Sequence, residues 1–264
     1  MGLEIPAIIH YSEDEVIRHG LSAEVKYVRI VRRKMGTKNR FYAQLVCGGV
    51  PYRKPKNTTG KGRVGLDLGP SNIAISADTD NHMKLEIFCE PLDGRQKEIR
   101  RLQRKMDRSR RTNTPENYNK DKSIKKGVKL EWNNSNIYQQ TRSRLAEVRR
   151  AQAEHRKSLH GNMVNRIIRL GDCVKLEKLS YRSFQKNYGK SVAFRGPGTF
   201  VSILRRKAVN AGAEVIEFST YHTRLSQTCP SWGAIKKKPL NVRWHVCKCG
   251  FGPIQRDILS AWLA

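Results

Sequence analysis

Acidic side chains are scarce in this sequence. Its 264 residues include 23 Asp plus Glu against 52 Lys plus Arg, a formal net charge of +29. A surplus of that size exceeds what solubility needs and points to a polyanionic partner, nucleic acid first. Long apolar runs are missing as well. No stretch of about eighteen apolar residues occurs, which removes a membrane-spanning helix from consideration. The opening residues MGLEIPAIIHYSEDEV have neither the basic start nor the cleavage site of a secretory signal, so a cytoplasmic protein is expected. Cysteine is limited to six residues, scattered except for CPSWG and CKCG near the end. That is the pattern of a metal site, not of a secreted disulfide framework. No internal repeat is present.

What is there divides at about residue 62. Residues 26–47 predict two strands, KYVRIVRRK and FYAQLVC, around the polar turn MGTKNR, a small β-hairpin unit. The following GGVPYRKPKNTTGKG has no apolar period and reads as a linker, so 1–62 forms one unit and 63–264 the main domain. There RVGLDLG, NIAISAD and MKLEIFC predict three neighbouring strands. Residues 95–111 turn helical, with Ile99, Leu102 and Met106 on one stripe and nine basic residues against two acidic ones around it. Arg100, Arg101, Arg104, Lys105 and Arg108 there are candidates for phosphate contact, joined by Arg149 and Arg156 of a long helix spanning 137–170. Between the two helices, 112–135 is polar and unpatterned and reads as a mobile loop. A strand DCVKLEKLS, a basic loop YRSFQKNYGKSVAFRGPG, a helix over 199–211 and a strand AEVIEFS follow. The order gives an α/β layout with a mixed sheet.

Three acids stand out against the basic background. Alternation puts Val64, Leu66 and Leu68 on one face of a strand and Asp67 on the other; it separates Val174 and Leu176 from Glu177 in the same way. Asp257 opens a helix in GPIQRDILSAWLA. Each has an ordinary alternative: Asp67 as a turn acceptor before Gly69, Glu177 paired with Lys175 or Lys178, Asp257 as a helix cap. Brought together, three carboxylates need cations, and oxygen ligands select Mg²⁺ or Mn²⁺. Ions so held can activate water against a phosphodiester.

The segments GLDLGPSN, VKLEKLS, LSQTCPSWG with WHVCKCG, and QRDILSAWLA resemble, in that order, the RuvC segments of TnpB, the transposon-associated RNA-guided nuclease family. GLDLG alone also resembles the opening strand of actin-like ATPases, but the second glycine-rich phosphate loop of those proteins is absent. The TnpB resemblance runs from about Lys26 to the last residue. It implies an RNase H-like (RuvC) fold with a zinc-ribbon-like insertion at 226–252, entered through Ser226 and Gln227, and a helical basic insertion at 95–170 that grips guide RNA and DNA. The hairpin then corresponds to the end of a wedge-like β-domain. Asp67, Glu177 and Asp257 match the family's catalytic acids, and the implied activity is metal-dependent hydrolysis of DNA in a prokaryotic, nucleoid-associated setting.

The sequence departs from that family at several points. Only 62 residues precede the first RuvC strand, where members carry a longer β-domain, and the chain ends seven residues after Asp257. Members typically supply four thiolates to a tetrahedral zinc; here Cys229, Cys247 and Cys249 remain and Trp232 takes the fourth position. His245 lies nearby and His222 further off. Weakened or absent zinc is the expectation. The shortened ends and Trp232 also support a rival reading, a non-catalytic nucleic-acid-binding remnant of the same family.

Overall fold

The computed structural model describes residues 4–9, 14–36, 38–55, 57–92, 94–239 and 241–264. It divides into two compact units. One comprises Met1–Val50 and Asp93–His155, the other Pro51–Leu92 and Arg156–Ala264. No helix is long and apolar enough to cross a membrane among the described residues.

In the first unit, helix α1 (Glu15–Ser22) precedes an antiparallel hairpin of β1 (Val25–Met35) and β2 (Lys38–Cys47), longer by a few residues than the apolar alternation indicates. Helix α2 (Gln96–Asn113) buries Ile99 and Leu102 against Leu145 and Val148 of α3 (Asn136–Leu170), with Met106 packed alongside. The α2 residues are the stripe read from the sequence. The hairpin turn is tied to α3 where Gly36 donates its N–H to Glu147 Oε2 at 3.1 Å, while Arg150 pairs with the same carboxylate.

Of the stretch 112–135 expected to be a mobile loop, 112–113 close α2 and 114–135 carry specific contacts. Asn117 is buried, donates to the Glu131 carbonyl and accepts from the Lys125 amide. The Arg110 guanidinium lies between the rings of Trp132 and Tyr138, 4.5 and 4.6 Å from their centres. A cation held against two rings orders a segment that has no apolar periodicity of its own.

The second unit is built on a five-stranded sheet in the order β5-β4-β3-β6-β7, with β3 (Arg63–Leu68), β4 (Asn72–Ala77), β5 (His82–Ile87), β6 (Cys173–Glu177) and β7 (Glu214–Phe218). β4 runs antiparallel to both neighbours, and β6 and β7 run parallel to β3. This is the mixed sheet expected of an RNase H-like fold. Val64, Leu66, Leu68, Val174 and Leu176 fill one face, against Met163, Val164, Ile167 and Ile168 of α3 and Phe200, Val201 and Leu204 of α5 (Pro197–Ala211). Between β6 and α5 the supposed basic loop is instead helix α4 (Tyr181–Arg195). Ser180 caps its start and Gly196, at φ 63°, ends it. After β7 come a short helix α6 (Thr220–Thr223), a two-stranded piece of β8 (Trp244–His245) and β9 (Ile254–Gln255), and helix α7 (Arg256–Leu263).

α7 covers the other face of the sheet, and it does so at Gly65. A Cβ at residue 65 would stand 1.8 Å from the Ala261 carbonyl oxygen. Only a residue without a side chain lets the helix backbone come that close. Gly65→Ala is therefore expected to destabilise the protein by about 2 kcal/mol or more, read as a lowered thermal midpoint, with faster amide exchange in residues 256–263.

Candidate active site and thiol cluster

The sheet alternation that buries Val64, Leu66 and Leu68 turns Asp67 to the α7 side, at the end of β3. β6 lies in parallel register, Leu66 beside Leu176, so Glu177 comes alongside. α7 then brings Asp257 in its first turn. The three acids line one cleft of about 400 Å³, with Ser226, Arg243, Arg256 and Ser260 also in its wall. Their oxygens do not draw together as tightly as the thiols described below, the only group of three possible ligands within 4.8 Å among the described residues.

The ordinary alternatives for two of the acids are not what the geometry gives. Asp257 does not cap α7. Gln255 does, its Oε1 accepting from the amides of Asp257 (2.6 Å) and Ile258 (2.9 Å), while its Nε2 donates to Asp257 Oδ2 at 3.2 Å. Asp67 accepts from the Ser260 hydroxyl. Burial, then the charges of Asp257 and Glu177, push the Asp67 carboxyl up to about 7, against the pull of Ser260 and Arg256. Burial raises Glu177 as well. Arg243 Nη1 stands 3.9 Å from Asp257 Oδ2, and Arg256 is partly committed, its Nη1 donating to the Pro239 carbonyl at 3.0 Å. A cleft of oxygen donors in which Asp67 and Glu177 resist ionising is short of positive charge. This donor set fits a hard divalent cation.

Cys229, Cys247 and Cys249 place their sulfurs within 4.8 Å of one another, Cys229 and Cys249 at 3.5 Å. Cys229 is buried in the turn closed by Gly233 N–H to its carbonyl, and Cys247 opens a second turn closed by Gly250. Three thiolates so gathered can hold a soft ion such as zinc. The fourth direction is not supplied by a lone pair: the Trp232 indole N–H donates to Cys247 Sγ at 3.1 Å. His245 is buried with Nδ1 against Lys238 and stands outside the thiol group. The side chain of His222 lies outside those described. The N–H of Cys249, and after it the indole of Trp232, hold the Cys247 thiol down at about 6.

Arg100, Arg101, Arg104, Lys105, Arg108 and Arg149 are all exposed, and the α2 residues from Lys97 to Arg111 line a shallow groove of about 610 Å³. Arg156 does not join them. Its Nη1 donates to the carbonyls of Ala193 and Phe194 at 3.0 Å each, so its guanidinium serves the end of α4. The hairpin adds a cationic surface that the sequence reading passed over. Every charged residue of β1 and β2 is basic, and Arg29 and Arg33 lie over the rings of Tyr27 and Tyr42 at 5.0 and 5.8 Å.

Residues 198–263, which run from α5 through the thiol cluster to α7, match the family model described as Cas12f1-like, TNB domain. Over that region the chain is similar to a Cas12f1-like TNB domain. The match agrees with the TnpB-like RNA-guided nuclease resemblance carried by the sequence motifs. Among solved structures, the chain is similar over 92% of its length to a chain of a Cas12f1-sgRNA-target DNA complex, at 15% identity and a TM-score of 0.56. A CRISPR-Cas12f ternary complex matches over 95% of this chain at 15% identity and a TM-score of 0.45. At such identity the likeness is one of fold. This chain spans 45% and 48% of the lengths of those two chains. No curated protein matches it.

The matched region contains both the thiol cluster and Asp257, while Asp67 and Glu177 come from strands outside it. Residues missed in the sequence include Gln255 and Ser260, which orient the acids, and Phe184 and Tyr188 of α4, which also line the cleft.

Two outcomes are expected. Because the folded-state value of Asp67 lies above its ordinary 3.8, the folded chain binds that proton more tightly, and stability falls as pH climbs from about 4 through about 7. Without added metal, Asp67→Asn should melt higher than the parent at pH about 8, where linkage makes ionised Asp67 costly. The gap should close near pH about 4, where both side chains are neutral. For the thiol cluster, Trp232→Cys should raise zinc per chain and the thermal midpoint, with the gain removed by chelator, because a fourth thiolate completes the tetrahedron and metal binding adds to folding. A zinc ratio near one in both proteins would show that three thiolates suffice.

Proposed function

We propose that this chain is the RuvC-type core of a transposon-associated, TnpB-like RNA-guided DNA endonuclease. The observation that carries the reading is the arrival of Asp67, Glu177 and Asp257 from three separate elements at one cleft of a strongly basic chain. The third of these acids stands in the region similar to a Cas12f1-like TNB domain. The solved complex of similar fold contains an sgRNA and target DNA, and guide RNA and DNA are the partners proposed here. The setting proposed is the cytoplasm, at the nucleoid.

In this reading Asp67, Glu177 and Asp257 hold Mg²⁺ or Mn²⁺. The bound ions supply Lewis-acid activation of water and neutralise charge on the leaving oxygen. The chain's own contribution is geometric. Gln255 fixes the Asp257 carboxylate, Ser260 fixes that of Asp67, and the exposed guanidinium of Arg243 at the rim suits a non-bridging phosphate oxygen. Arg100, Arg101, Arg104, Lys105, Arg108 and Arg149 hold the phosphate backbone. The three-thiol cluster, holding zinc weakly beside Trp232, steadies the segment that leads into Asp257.

The rival reading, a nucleic-acid-binding protein without catalysis, draws on Trp232 in place of a fourth thiolate. The two separate by experiment. Protein purified from cells that also carry the DNA flanking its gene is tested for a copurifying RNA and for metal-dependent cleavage of DNA matching that RNA. Asp67→Ala, Glu177→Ala and Asp257→Ala should each bring cleavage to background while leaving nucleic-acid affinity, and its steep fall with salt, unchanged. Cleavage surviving all three changes places the active site elsewhere. Tight binding with no cleavage by the parent protein favours the rival.

A further inference from the structure

The acid cleft has a second wall that the chemistry just described does not use. Besides the carboxylates the cleft is lined by Pro70, Leu85, Leu179, Phe184 and Tyr188. Phe184 and Tyr188 meet edge to face, ring centres 6.3 Å apart at 77°. Neither belongs to the core of the unit, although their neighbours Leu179, Tyr181 and Phe194 pack against it. Tyr188 is 44% exposed. The fold therefore keeps two aromatic rings at the mouth of a charged cleft without using them for its own packing.

The rings are held in place. Ser191 Oγ, one turn beyond Tyr188, donates to the Pro70 carbonyl at 2.6 Å, and Arg195 reaches the Phe88 carbonyl at 2.8 Å and Ser191 Oγ at 2.7 Å. These bonds fasten α4 to the turn after β3, beside Asp67. At Tyr188 itself the backbone leaves the helical region, φ −126° and ψ 28°, which breaks the regular turn of α4 at the exposed ring. The surroundings are cationic. Arg182, Lys186 and Lys190 recur at every fourth residue on α4 and are exposed, and no acid occurs between Glu177 and Glu214. Flat rings beside exposed cations, in the wall of the cleft that the three acids line, suit a ligand that alternates flat rings with phosphates.

We propose that Phe184 and Tyr188 form a stacking step for an unpaired nucleobase, which seats single-stranded DNA at the acid cleft. In a duplex the base faces are already stacked, so the step selects single strands; it positions the substrate and takes no part in the bond change. The proposal rests on reading the cleft as the phosphodiester site.

The test uses the full chain in chelator, with a single-stranded DNA about ten nucleotides long, within the range one stacking platform accommodates, carrying 2-aminopurine, whose fluorescence falls on stacking. The parent should quench it. Phe184→Leu with Tyr188→Leu keeps apolar bulk and removes the rings; it should lose the quench and bind the strand about five-fold or more weaker, while affinity for duplex DNA holds. Should that pair of changes disturb folding, Tyr188→Leu alone, at an exposed ring, should show a partial loss, and Tyr188→Phe should restore the quench. Quenching by the double variant equal to the parent overturns the proposal. So does damage by Tyr188→Phe equal to that by Tyr188→Leu, or binding of the RNA version of the strand and not the DNA. Ring-dependent quenching in a protein that cleaves nothing supports the step and sinks the nuclease reading alone. Asp67-dependent cleavage with no ring dependence sinks the step alone.

Discussion

Helix α7 can lie on β3 only because residue 65 has no side chain, and the placement of the third acid follows from that contact. Gly65 and Asp67 point to the same face of β3, two residues apart. The glycine makes room for the Ala261 carbonyl, and the aspartate then meets the first turn of the helix that the glycine admitted. Val64, Leu66 and Leu68, on the opposite face, anchor the strand in the core. One short strand thus supplies core, clearance and charge by simple alternation.

The cluster so formed opposes folding in the absence of cations. Three acids face one cleft, and burial and mutual repulsion hold Asp67 near neutrality. The groups that orient the acids are mostly neutral: the Gln255 amide and the Ser260 hydroxyl. Arg256 gives part of its guanidinium to a backbone carbonyl, and Arg243 stands at the rim. Neutral donors fix direction without cancelling charge, which leaves the site's demand for positive charge unmet by the protein. The stability lost there is offset by the large apolar core on the other side of the sheet.

Much of this was legible in the sequence. Strand alternation separated Asp67 and Glu177 from their buried neighbours, and the stripe of α2 emerged as read. Helix α4 was missed although Tyr181, Phe184, Tyr188 and Val192 follow helical spacing between a serine cap and a terminal glycine. Gly189 and the surrounding polar residues masked the period. Other features depended on distant partners. Nothing local to Gly65 names Ala261, nothing in 114–135 names the Arg110 sandwich, and Arg156 looked like any exposed cation until the end of α4 claimed it. At α7 the obvious acid drew the capping role that Gln255 performs.

Chain order gives the docking of α7 a consequence in time. During synthesis β3 and β6 emerge, and can pair, well before residues 256–263 leave the ribosome. Until then the groove over Gly65 is uncovered, and Asp67 and Glu177 sit beside each other with the third carboxylate still missing. Each newly made copy therefore passes through a two-acid stage, and the full constellation is assembled by α7. An unfinished chain of this fold can already carry the cationic surfaces of α2 and the hairpin before its acid cleft is complete.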